Sequence, residues 1–320
     1  MQPHTTDSVD VVTFGETMAL FRASETSAPR AGSEFVLGIG GAESNVAIAL
    51  ARLGVGVRWI GRVGDDELGR VIARELRAEQ IDARLILDTE APTGLMVKHR
   101  STGGHVNVTY RRTGSAGSRL ASSDVLAAIR GARVLHLTGI TPALSPTARD
   151  ATLAAARHAQ SAGIEVSLDL NYRSALWSRE EAAPVLRRLI ALSDVVFASP
   201  DEAAILLPDA MDETALLEGL TAAGPTEAVL KLGERGALAT ADGERRQRRA
   251  VPVNVIDTVG AGDAFVAAYL AERLSGLPLI DRLDTAVTAG ALACTVAGDW
   301  EAAPTRADLA RMARADPVIR

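Results

Sequence analysis

The stretch "AVPVNVIDTVGAGDAFVAAYLAERL" (residues 250–274) joins two patterns across one glycine-rich step. Its first eight residues alternate apolar and polar, which predicts a strand. Beyond Asp263, the residues Phe265, Ala268 and Tyr269 fall on one side at helical spacing, which predicts a helix. A strand that hands over to a helix through "VGAG" is a building unit of α/β sheets.

Outward from this step, the same unit repeats. Compact runs rich in Val, Ile and Leu occur at 9–14, 57–63, 132–139, 164–170, 194–199 and 227–233. Such runs read as strands buried on both faces. Helical stretches at 65–79 and 146–161 lie between them. Asp65 is the expected N-cap of the first, and Ser145 before Pro146 opens the second. The alternation predicts a mostly parallel sheet with helices on both faces.

Two segments break the rhythm. Residues 16–38 hold no clear helix, and 92–112 read as a hairpin, "TGLMVKHR", "STGG", "HVNVTYRR". In its second arm Val106, Val108, Tyr110 and Arg112 share one face. A polar and aromatic end on a strand outside the α/β pattern predicts a small β lid over a site. No linker or repeat splits the chain of 320 residues, so a single domain spanning 1–320 is expected.

Composition narrows the class. Hydrophobic residues make up 47%, enough for a large core, and the net charge is -6 with no basic face. The densest positive run, "RRQRR" at 245–249, reads as a solvated hairpin, so nucleic acid is not an expected partner. The lone Cys294 excludes an internal disulfide and reads as an apolar filler in a helix. The N-terminus has no basic-then-apolar leader and no apolar run reaches 18 residues, so a cytoplasmic protein without membrane contact is expected. "NVT" at 107–109 matches a sequon without other signs of secretion. Only two lysines occur, Lys98 and Lys231, which makes Lys231 in "KLGERG" (231–236) conspicuous.

The chemistry centres on residues 260–263. At a helix N-terminus the backbone N–H groups of Gly260, Ala261, Gly262 and Asp263 lack intrahelical partners, and small residues let an anion approach. An acid beside a resting anion would be repelled by it. An acid that takes a proton from a hydroxyl while a phosphoryl group passes to it fits: Asp263 as general base, the N–H groups as anion hole. A second glycine pair opens "GGAESNVAIALARLG" (40–54), with Asn45 one turn in. No G-x-x-x-x-G-K-[ST] exists, and "GIGGAE" fails the dinucleotide pattern, so neither a P-loop nor a Rossmann site is supported.

These stretches, with "GRVGDDELG" (61–69), resemble the two signatures of the ribokinase-like (PfkB) carbohydrate kinase family, in order and about 200 residues apart. The resemblance implies a three-layer α/β sandwich with a β-sheet lid, ATP and Mg²⁺ as cofactors, and phosphoryl transfer to a sugar hydroxyl. By it Asp263 is the base and Gly260, Ala261 and Gly262 the anion hole. "SPDE" (199–202) stands where the family shows N-x-x-E, so Glu202 would help place Mg²⁺, with Ser199 in place of Asn. Lys231, Gly233 and Gly236 match the nucleotide loop.

Arg112 in the lid and Arg173 in "LDLNYRSALW" (168–177), at the mouth of the sheet, point to a carboxylate, which two guanidinium forks would clasp. With "GDWE" (298–301) these patterns resemble 2-keto-3-deoxygluconate kinases. That resemblance puts Gly41, Asn45, Tyr110, Arg112, Arg173, Asp263 and Asp299 at the sugar acid and Asn171 and Ser199 towards the nucleotide. It implies a 6-phosphate product and a homodimer or larger homo-oligomer. Two departures are Met96, where some relatives carry Tyr, and Val287, where some carry Asn near the adenine. A neutral-sugar kinase such as a fructokinase or ribokinase is the alternative, and a silent sugar-acid-binding protein the alternative of another class. The gluconate or galactonate epimer stays open.

Overall fold

Val, Ile and Leu runs with apolar side chains on both faces need cover on both sides, and the computed structural model shows how they get it. It describes residues 9–101 and 106–313. Residues 102–105 at the hairpin turn and the two extreme termini therefore lie outside the described residues. The main sheet contains β1 (Val9–Phe14), β4 (Val57–Gly64), β5 (Asp82–Asp88), β8 (Ala132–Thr138), β9 (Glu165–Asp169), β10 (Val195–Ala198), β11 (Glu227–Lys231), β12 (Ala237–Ala241) and β13 (Glu244–Arg248). A smaller sheet holds β2 (Met18–Ala23), β3 (Phe35–Gly40), β6 (Leu95–Arg100) and β7 (Val106–Arg111). The helices are α1 (Ala42–Arg52), α2 (Glu67–Ala78), α3 (Ser122–Val125), α4 (Thr141–Leu144), α5 (Pro146–Ser161), α6 (Arg179–Ile190), α7 (Pro200–Ala203), α8 (Glu213–Ala222), α9 (Ala261–Leu274), α10 (Leu279–Ala293) and α11 (Arg306–Ala313).

The main sheet runs β13-β12-β11-β10-β9-β8-β1-β4-β5, parallel except at β11-β12-β13. Alternate residues of each strand serve different layers. Val12, Leu135, Leu168 and Val196 pack against α5, α6 and α8. Val11, Trp59, Val134 and Phe197 pack against α1, α2, α9 and α10. On that side Phe197 and Tyr269 meet edge to face, ring centroids 5.3 Å apart. Order reverses between β1 and β8, which opens a crevice at the carboxyl ends of the strands.

The expected strands match β1, β4, β8, β9, β10 and β11 to within a few residues, and α5 spans 146–161 as read, with Ser145 capping through Ala148 N–H at 3.1 Å. The α2 cap is corrected by one residue. Asp66, not Asp65, accepts from Gly69 N–H at 2.8 Å. A larger correction concerns 250–257, which is not a strand. Pro252 cannot donate to a ladder. The segment runs partly exposed and ties its buried end to α10, with the N–H groups of Ile256 and Asp257 on Cys294 O. The arginine run is itself the exposed edge strand β13, and its charges disfavour further pairing. Cys294 caps α10 at intermediate burial, its thiol on Gly290 O at 3.3 Å.

The lid sheet is ordered β3-β2-β6-β7, with β2 and β6 parallel and β6-β7 the expected hairpin, in which Met96 faces Tyr110. Its first segment extends to Gly40, past the expected 38. Met18, Leu20 and Met96 form a small apolar cluster of their own. Met96 is thus a packing residue, 4% exposed. Val287 is also buried, on the core side of α10. No helix among the described residues is long and apolar enough to cross a membrane.

Candidate active site

Two helix N-termini meet over the crevice. α1 begins after Gly41, whose added Cβ would lie 2.3 Å from Glu16 O, so the chain crosses too closely there for a side chain. Glu43 anchors this end, its Oε1 accepting from the Thr138 and Thr141 hydroxyls at 2.6 Å each. α9 begins after Gly260, in the left-handed region at φ 78°. A Cβ there would stand 1.8 Å from Asp299 O. One bond joins the two ends: Asn45 Nδ2 donates to Asp263 Oδ2 at 2.8 Å.

Asp263 is 8% exposed. Burial pushes its pKa up to about 7, and the charge of Asp169 adds to the rise. The Asn45 bond and the charges of Arg173 and Lys231 pull it down. A carboxylate poised there takes and releases a proton near neutral pH.

Lys231 ends β11, and its ammonium binds both oxygens of Asp169, at 2.6 and 2.7 Å. Burial works against its charge, but Asp169, Glu202 and Asp263 hold it protonated, so its pKa lies above the ordinary value. The ammonium is 3.7 Å from where a Gly262 Cβ would be, beside the N–H groups that open α9. The glycines of the following loop, Gly233 and Gly236, take φ of 59° and 95° around a short 3₁₀ turn. Asp169 belongs to the "LDLNYRSALW" stretch, but sequence reading assigned it no role and no partner.

Glu202 and Ser199 form a capping box at the start of α7. Glu202 also reaches the loop after β9: its oxygens accept from Ser199 N–H at 2.7 Å and Tyr172 N–H at 3.0 Å. Asn171, 5% exposed, holds φ 35°, a strained conformation for a non-glycine residue. No cluster of three or more His, Cys, Asp or Glu side chains shaped for a metal exists among the described residues. Glu202 and Asp169, both felt by Lys231, are a donor set suited to Mg²⁺, which keeps waters and takes one or two carboxylates plus substrate phosphates.

The two arginines differ. Arg173 is exposed, close enough to act on Asp263, and has no acidic partner among the described residues. Arg112 is paired: Nε and NH2 both reach Glu16 Oε2 at 2.7 Å, and its guanidinium lies 5.8 Å over the Tyr110 ring. Glu16 is 2% exposed and takes a further bond from the Ser115 hydroxyl. Tyr110 itself is 44% exposed on the lid. Asp299 is buried, which raises its pKa, and Lys98 opposes the rise. Glu16 and Lys98 are the partners that sequence reading missed. The sole trace of Lys98 was the rarity of lysine.

The chain is 36% identical over 317 residues to the 2-dehydro-3-deoxygluconokinase of Bacillus subtilis, covering 97% of each chain. It is 33% identical over 296 residues to the 2-dehydro-3-deoxygalactonokinase of Haloferax volcanii, covering 91% of this chain and 93% of the relative. The crystal structure of fructokinase with bound ATP from Xylella fastidiosa superposes with a TM-score of 0.83 at 25% identity, over 94% of this chain and 97% of that one. Residues 9–306 match the model of the pfkB family carbohydrate kinases. A glycine-opened α9 with a buried acid, set at the switch point of a lidded α/β sandwich, and these likenesses converge: the chain belongs to the pfkB family of carbohydrate kinases.

Proposed function

We propose that the chain phosphorylates 2-keto-3-deoxygluconate, or its galactonate epimer, at the 6-hydroxyl with ATP. These acids are the 2-dehydro-3-deoxy sugar acids in the names of the two curated relatives. The observation that carries the acid specificity is Arg173: an exposed guanidinium with no acidic partner among the described residues, whose charge is felt at the buried Asp263. A neutral sugar offers such a group no counter-charge, whereas a carboxylate takes its fork bidentately.

In this reading Asp263 accepts the proton of the 6-hydroxyl as its oxygen attacks the γ-phosphorus, and the bond to the β-phosphate oxygen breaks to release ADP. The N–H groups of Gly260, Ala261, Gly262 and Asp263 face the charge of the transferring group. Asn45 orients the Asp263 carboxyl. Lys231, Gly233 and Gly236 line the nucleotide side, with Asn171 and Ser199 nearby. Gly41, Tyr110, Arg112 and Asp299 close around the sugar acid. Glu202 and Asp169 would hold Mg²⁺, which when bound offsets phosphate charge.

The test is ADP release with ATP and Mg²⁺ against the two keto-deoxy acids, fructose and ribose. A kcat/KM for one keto-deoxy acid about 10²-fold above fructose is expected, the scale of a charge-assisted pair or two. Equal or better turnover of fructose would replace this reading with the neutral-sugar one.

A further inference from the structure

Lys98 is a lysine on the lid whose charge is not at the surface. It lies in β6 and is 4% exposed. Its ammonium sits among three oxygens of the opposite body: Asp257 Oδ2 at 2.6 Å, Asp299 Oδ1 at 3.0 Å and Gly298 O at 3.3 Å. Both carboxylate side chains are as buried as the lysine, 3% and 7% exposed. Without the ammonium, two carboxylates would share a dry space, which like charges do not tolerate.

Both acids hold the loop that opens α9. Asp257 Oδ1 accepts from Val259 N–H at 3.2 Å, and Oδ2 from Gly298 N–H at 3.4 Å. Asp299 presses its carbonyl against Gly260 so closely that no Cβ fits. A second residue of the same strand reinforces the link, since Arg100 donates to Ile256 O. A chain of contacts thus runs from the lid strand through one ammonium to the glycine at which the anion-binding backbone begins.

We propose that Lys98 is a positioning residue for phosphoryl transfer: its ammonium joins the lid to Asp257 and Asp299 and so fixes the backbone from Gly260 to Asp263. The inference rests on reading that backbone as the anion hole. Lys98 touches neither the transferring group nor Asp263, so it acts through geometry. A displacement of about 1 Å at a reacting centre lowers turnover roughly 10²-fold.

The experiment compares steady-state kinetics of the parent, Lys98→Ala and Lys98→Arg on the preferred sugar, with and without ethylammonium. For Lys98→Ala, kcat falls about 10²-fold while the KM for ATP stays within about threefold, and ethylammonium, which supplies an ammonium to the vacated stem, restores at least about tenfold. A kcat within twofold of the parent, or a loss that the amine leaves unrepaired, overturns the proposal. If Lys98→Ala does not fold, Lys98→Arg decides. Its fork cannot reproduce three contacts to one point, so kcat falls at an unchanged KM for ATP, and an unchanged kcat overturns the proposal. Asp263→Asn, assayed in parallel, separates the two readings, since full turnover there rejects the anion hole whatever Lys98 does.

Discussion

Asp263 carries opposed demands on stability and activity. A buried carboxylate raised from its ordinary 3.8 to about 7 keeps a proton in the folded state that the unfolded chain has released over that interval. Stability is therefore lost as pH rises from about 4 to about 7, and above 7 the full penalty is present, on the order of 4 kcal/mol. The proposed reaction needs the same group ionised. Thus kcat/KM for the sugar is expected to rise about tenfold per pH unit below 7 and level off above, while Tm moves the other way. Asp263→Asn should lower kcat roughly 10²–10⁴-fold and, at pH 8, raise Tm by several degrees. Stopped assays and calorimetry on one preparation check both, and near-parental kcat would remove Asp263 from the mechanism. The arginines divide similarly. Arg173→Ala should lower kcat/KM on the sugar acid by one to two powers of ten with at most a small fall in Tm, because it breaks no ion pair and removes only a charge felt at Asp263. Arg112→Ala also strands the buried Glu16, so Tm should fall with it, by the equivalent of about 3 kcal/mol. Equal thermal losses in the two variants would contradict this division.

At the scale of elements, the handover into α9 is tightest at Gly260. It combines φ 78° with an absent Cβ against Asp299 O. Gly260→Ala meets both obstacles at once, and the obstructing atom is backbone, which cannot swing aside. Expected are a Tm drop equivalent to roughly 2–4 kcal/mol and a kcat loss larger than the stability loss explains. The control is Gly276→Ala, also at positive φ, on an open turn with nothing near its Cβ. Gly276→Ala should lower Tm by less and leave kcat alone, and matching kinetic losses at both glycines would refute the special role of Gly260. This element also shows what the sequence could carry. Strands buried on both faces were legible as runs, and the α9 start as glycines before an acid. Residues 250–257 were misread because alternation marks any extended segment with one face inward, and only the absence of a neighbouring strand separates coil from ladder. The ion pairs were illegible for another reason. Lys231 meets Asp169 across 62 residues, Arg112 meets Glu16 across 96 and Lys98 meets Asp299 across 201. No local pattern encodes such partners, since the fold alone brings them together.

Across the whole molecule, the two sheets treat their edges differently. β13 closes one side of the main sheet with exposed charge, a surface that resists pairing. The lid does the opposite. Its edge strand β3 presents Phe35, Val36 and Leu37 at 38%, 47% and 43% exposure, and Val106 and Tyr110 on β7 add 38% and 44%. A run of apolar side chains on an open edge strand is covered or becomes an aggregation hazard. A second copy set lid against lid, the homodimer that the sequence resemblance implies, would cover it and close as a two-fold pair instead of a chain of copies. Light scattering at micromolar concentration should then give twice the 33.5 kDa of one chain. Val36→Asp with Leu37→Asp places two carboxylates in the contact and should give the monomer mass. Because the same sheet carries Tyr110 and, through Lys98, reaches Gly260, losing the partner should also raise the KM for the sugar several-fold. The KM for ATP should hold, since the residues proposed for the nucleotide end or follow strands of the main sheet. A parent that scatters as a monomer while fully active rules the dimer out, and a double variant that stays dimeric moves the contact elsewhere on the surface.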